Sequence, residues 1–132
     1  MKHLELYAGA SISIELAVIN TRVLVRGAAN ALRRGEAAPS ALPQAIRDLW
    51  RAVRALADYL KEAAGPEESR RFALEAARGA TEALKERHDL TVTVLVGQVR
   101  SMAVDLLRST GMNRAQALAA LEEVAPRRST ET

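Results

Sequence analysis

The sequence predicts an all-α protein, an up-down four-helix bundle with a short fifth helix at the C-terminal end. Three observations predict it. Apolar residues recur at three- and four-residue spacing along almost the whole chain. Ala, the strongest helix former, is abundant in nearly every segment. The breaks, marked by Gly, Pro and N-capping residues, are short, and short breaks make consecutive helices antiparallel neighbours.

The first helix is predicted from about Lys2 to Arg34, with Gly35 as its stop. Ser11, Glu15, Arg22, Arg26 and Arg33 share one narrow stripe of it. Ile12, Leu16, Ile19 and Val23 form one apolar flank, and Ile14, Val18 and Val25 the other. Leu6, Ala10, Ala17, Leu24, Ala28 and Ala31 lie opposite the charges. A helix apolar on so many sides belongs at the centre of a bundle or at a subunit interface. Asn20 and Ser13, on the small face, read as polar groups that set helix register.

Ser40 reads as the N-cap of a second helix, with Pro43 in its tolerant first turn. This helix is predicted to run to about Ala64, where Gly65-Pro66 stops it. Leu42, Ile46, Leu49, Trp50, Val53, Leu56, Ala57 and Leu60 form its expected buried face. Arg47, Arg51, Arg54, Asp58 and Lys61 form the exposed one. The third helix is predicted over Glu67 to His88, with a small-residue face of Phe72, Ala73, Ala76, Ala80, Ala83 and Leu84.

Thr91-Val92-Thr93-Val94-Leu95-Val96 alternates like a strand. The longer window decides for helix. Val92, Leu95, Val96, Val99, Met102, Ala103 and Leu106 fall at helical spacing, Asp89 can cap the start, and a lone strand would have no partner. The fourth helix then reaches about Ser109 and ends at Gly111. Asn113, with Gln116 in the capping-box position, opens a short fifth helix from Arg114 to Val124. The domain is read as 1–125 and the remainder, 126–132, as a polar tail.

The 132 residues suffice for one domain with a hydrophobic core. At 48% hydrophobic and 27% charged the chain is not of disordered composition, and at 3% aromatic its core must be aliphatic. There is no cysteine, which excludes disulfides, thiolate zinc sites and cysteine catalysis. The net charge of +3 is mild, and the bases are interleaved with acids as on a solvated surface. The most apolar stretch, Ile12 to Val25, contains Glu15, Asn20 and Arg22 and is too short to span a bilayer. With no signal-peptide pattern at the start, the expectation is a soluble cytoplasmic chain, or a soluble piece of a longer membrane protein.

No catalytic, metal or cofactor-binding residue is predicted. His3 and His88 lie far apart and outside any Glu-x-x-His pattern, and His88 at a helix end suits the dipole. There is no Gly-x-Ser-x-Gly elbow, and Ser101 falls off the apolar stripe of the fourth helix. The glycines form no phosphate loop. Arg22 and Arg26, with Glu15, are the candidate anion-binding group, able to hold a carboxylate. A plain exposed stripe is the better reading. The Arg47, Arg51, Arg54 ladder suits phosphate, but Asp48, Asp58 and Glu62 lie beside it and no aromatics interleave, so a nucleic-acid role is disfavoured. The segment from Thr110 to Leu118 has the flavour of a ubiquitin-associated helix start, but a capped terminal helix explains it better.

Two stretches together resemble a known family. One is Ile14-Glu15-Leu16-Ala17-Val18-Ile19-Asn20-Thr21. The other, more specific, runs from Leu90-Thr91-Val92-Thr93-Val94-Leu95-Val96-Gly97-Gln98 through Val99-Arg100-Ser101-Met102-Ala103-Val104-Asp105 to Leu106-Leu107-Arg108-Ser109-Thr110-Gly111-Met112. Both are similar to the soluble helical portion of actinobacterial fusaric acid resistance, or aromatic acid exporter, proteins. The middle of the chain is similar only in its Ala- and Arg-rich character. The resemblance implies a cytoplasmic, oligomeric, regulatory helical domain beside a membrane portion, with no site residues to carry over.

The expected function is therefore a non-enzymatic helical domain for self-association or regulation, with Ile12, Leu16, Ile19 and Val23 as the candidate interface. The alternatives are a bundle binding a small organic acid and a weak nucleic-acid binder.

Overall fold

A computed structural model of the chain describes positions 15, 18–20, 22–23, 26–27, 39–86 and 89–124. The described positions between 15 and 27 are helical and are designated α1. Four further helices follow: α2 (Ala41–Leu60), α3 (Glu67–Glu86), α4 (Leu90–Ser109) and α5 (Arg114–Glu123). Among the described residues there is no strand. The fold is an all-α bundle with a short C-terminal helix. The N-terminal part of the expected first helix and the polar tail lie outside the described residues, as do Ile12, Ser13, Leu16, His3 and His88.

Antiparallel order is visible in the contacts. Ser40, before α2, donates its backbone N–H to Glu86 Oε2 at the far end of α3, at 2.8 Å. Ser69, at the start of α3, donates to the carbonyl of Ala52 at 2.9 Å. Between α3 and α4, Arg100 Nη1 donates to Thr81 Oγ1 at 2.6 Å, and Arg70 Nε to Thr110 Oγ1 at 2.8 Å. α3 therefore returns alongside α2, and α4 alongside α3.

The core sits between α2, α3 and α4. Leu42, Leu49, Val53 and Leu56 of α2 meet Ala73, Ala76, Ala77, Ala80 and Ala83 of α3. An alanine face lets backbones approach closely: a Cβ at Gly79 would lie 3.3 Å from Ala45 Cβ and 3.6 Å from the Ala41 carbonyl oxygen. The expected α3 face is thus met by its alanines, while Phe72 and Leu84 pack at its margin. On α4, all seven residues expected inside are buried, joined by Val104 and Leu107. The strand-like alternation resolves as helix because Asp89 caps it: its carboxylate accepts from Val92 N–H at 2.9 Å.

Four local expectations are corrected. First, Trp50 is not buried but 39% exposed on the outer side of α2. The core arc of α2 is filled by Leu49, Ala52, Val53 and Leu56, and residue 50 falls beyond it. Second, Ser40 is not a side-chain cap. Its backbone is helical and its hydroxyl lies 3.1 Å from Glu86 Oε2, so the residue ties α2 to α3 instead. Third, α2 ends at Leu60, before Gly65-Pro66. Glu62 turns the chain with φ 59°, its N–H donating to the Tyr59 carbonyl while Ala63 N–H donates to Asp58. These two bonds are the Schellman pattern. Fourth, Asn20 is exposed rather than a buried register residue.

The C-terminal junction follows expectation. Gly111, at φ 107°, closes α4 with the same pair of bonds, Gly111 N–H to Arg108 and Met112 N–H to Leu107. Asn113 and Gln116 form the reciprocal capping box of α5. Arg70 of α3 clamps the junction, its Nη2 donating to the Thr110 carbonyl at 2.8 Å. A cation at a helix C-terminus also complements the dipole.

Among the described helices only α4 is long and apolar enough to cross a membrane by length and composition. This is not the stretch singled out from the sequence. Half of its most apolar window is buried inside the bundle, as in a core helix.

Candidate functional site

The expected site residues fall on α1. At about 100° per residue, Arg22, Glu15, Arg26, Ile19 and Val23 occupy an arc of roughly 100° on one side of the helix. All five are exposed. Val18 and Gly27 lie on the margins of that arc and are half-buried. Val18 packs against the core, and a Cβ at Gly27 would lie 3.5 Å from Leu95 Cδ2 of α4. These contacts turn the arc outward, and exposed Asn20, about 20° beyond Gly27, extends the outward side.

Ile19 is 54% exposed and Val23 51% exposed. Both keep about half of their apolar surface in water, so covering it would be worth about 1 kcal/mol per side chain, roughly half the value of full burial. The exposed face is therefore mixed: an apolar pair one turn apart, with a carboxylate towards one end and guanidinium groups towards the other. Arg22 and Arg26, the candidate anion-binding pair, stand one turn apart on this face rather than in an interior seam. Such a face can bury against another apolar helix or hold an anion between two guanidinium groups.

A second surface lies on the outside of α2 and α3. Arg47 Nη1 donates to Gln44 Oε1 at 3.2 Å, and Arg51 Nη1 lies 3.4 Å from Asp48 Oδ1. Trp50 stands three residues after Arg47 and four before Arg54, at the edge of the arginine ladder. Next to it, the guanidinium carbons of Arg71 and Arg51 lie 4.5 Å and 5.9 Å from the Phe72 ring centroid. Arg71 is also held by Glu68 at 3.0 Å. Several of these cations are thus engaged by neighbours on their own helix, which weakens the field of the ladder.

Ser101 is exposed on α4 with Gln98 and Asp105 on the same outward side. Among the described residues no cluster of three or more His, Cys, Asp or Glu is placed to hold a metal ion. Compared with protein-family models, with curated proteins and with solved structures, the chain matches none.

Proposed function

We propose that this chain is a non-enzymatic helical bundle that mediates self-association or regulation, with the outer face of α1 as its interface. The observation that carries this reading is the exposure of Ile19 and Val23 beside each other on a helix whose margins are already docked on the bundle. Homo-oligomers form by burying such surfaces symmetrically. The resemblance of stretches 14–21 and 90–112 to the soluble part of aromatic acid exporter-like proteins extends the proposal. The domain would act on the cytoplasmic side, as a partner of a membrane portion.

The test is the solution mass across a concentration series, for the chain and for Ile19→Ser with Val23→Ser. A dimer or larger assembly that the double variant disperses supports the proposal. A strict monomer at high concentration overturns it. In that case Arg22 and Arg26 become candidates for a small organic acid, checked by thermal shift against Arg22→Ala.

A second reading is favoured by one observation, the exposed Trp50 between Arg47 and Arg54. An aromatic among arginines is a stacking platform for single-stranded nucleic acid. Trp50 is the only tryptophan, so its fluorescence reports directly. Quenching by an oligonucleotide that weakens steeply as salt rises supports this reading, and unchanged fluorescence rejects it.

A further inference from the structure

The order of residues along the exposed α1 face is self-complementary. It reads Glu15, Ile19, Val23, Arg26, all exposed, at spacings of four, four and three. Reversed, the same face reads base, apolar, apolar, acid. A second copy laid antiparallel about a two-fold axis close to position 21 brings Glu15 beside the copy's Arg26. It also sets Ile19 against the copy's Val23, and each pairing occurs twice by symmetry. Arg22 flanks the apolar pair, where its methylene stem can cover Ile19 while its head stays in water. A parallel pairing instead sets Glu15 on Glu15 and Arg26 on Arg26, a like-charge juxtaposition that disfavours that orientation.

Resting on the self-association reading, we infer that the partner of α1 is α1 of a second copy, crossing antiparallel, with Glu15 and Arg26 as the reciprocal pairs that choose the orientation. The occupant is set by charge complementarity. An acidic partner would have no use for Glu15, whereas a second copy pairs Glu15 with Arg26 twice while the two Arg22 heads, near the axis, turn out into water.

Two measurements test it. Glu15→Arg and Arg26→Glu each make the facing charges alike, so each should raise the dimer dissociation constant by about tenfold. The double reversal restores opposite pairs and should return the constant towards that of the unaltered chain. The chain contains no cysteine, so introduced thiols report without background. Mixed Glu15→Cys and Arg26→Cys chains should cross-link to each other under mild oxidation faster than either does with itself. A dimer indifferent to both reversals, or one in which Glu15→Cys cross-links with itself, overturns the antiparallel inference and leaves self-association standing. A monomer at every concentration overturns both.

Discussion

Glu62 holds a backbone φ of 59° and Gly111 one of 107°, at equivalent positions after α2 and α4. Glycine meets no Cβ penalty there, whereas an L side chain costs roughly 1–2 kcal/mol. Glu62→Gly should therefore stabilise the fold by about 1 kcal/mol, seen as a rise of roughly 3–5 °C in melting temperature. Gly111→Ala should lower stability by about the same amount. Gly97 offers a contrast. It is exposed in the middle of α4, and nothing lies within 4 Å of a Cβ built on it. Gly97→Ala should gain about 1 kcal/mol from helix propensity alone, with no packing cost. Chemical denaturation of the three variants checks all of this, and a loss of stability in Gly97→Ala would mean a neighbour lies closer than the structure places it. The sequence showed Gly111 as a stop because glycine marks such turns. It hid Glu62, because the conspicuous Gly65-Pro66 further on drew the boundary away from it.

Helix ends and helix faces carry the next level. The α3 to α4 register rests on two cross-helix groups, Arg70 with Thr110 and Arg100 with Thr81. Thr110 is buried, and its hydroxyl also donates to the Leu107 carbonyl at 2.6 Å. Thr110→Val keeps the shape and removes the two hydroxyl bonds, leaving Arg70 Nε without its acceptor while its Nη2 stays on the Thr110 carbonyl. The expected cost is about 1.5–3 kcal/mol. A double-mutant cycle with Arg70→Met should show that much of the cost is shared between the two residues. Additive losses would mean that the clamp contributes nothing as a pair. The α2 to α3 contact depends on small side chains, with Gly79 against Ala45. Gly79→Leu must separate the two backbones and should destabilise by about 1–3 kcal/mol or more, measured as an earlier urea midpoint. These faces were legible as alanine periodicity. The partner of each face was not, because spacing along a helix says which residues share a side and nothing of what covers that side.

For the molecule as a whole, the proposed dimer predicts a melting temperature that rises with protein concentration, because association stabilises the folded chain by mass action. Ile19→Ser with Val23→Ser should abolish that dependence with only a modest fall in the dilute value, since each residue is about half exposed on the single chain. Calorimetry over a hundredfold range of concentration decides it. By itself the sequence determined the helical type of the chain and, among the described residues, most of the helix ends. Helix periodicity, alanine content and the caps at Asp89 and Asn113 are local properties of the chain. It also determined that the core would be aliphatic and that one stripe of the first helix would combine Glu15, Arg22 and Arg26. Tertiary structure alone decided which borderline residues go inside. Trp50 and Leu49 are chain neighbours about 100° apart on α2, and only the position of α3 and α4 makes Leu49 core and Trp50 surface. The same holds for α1, where the docking of Val18 and Gly27 leaves Ile19 and Val23 facing water. Burial is a relation between elements far apart in the chain, so local spacing marks the centre of a buried face but not its edges.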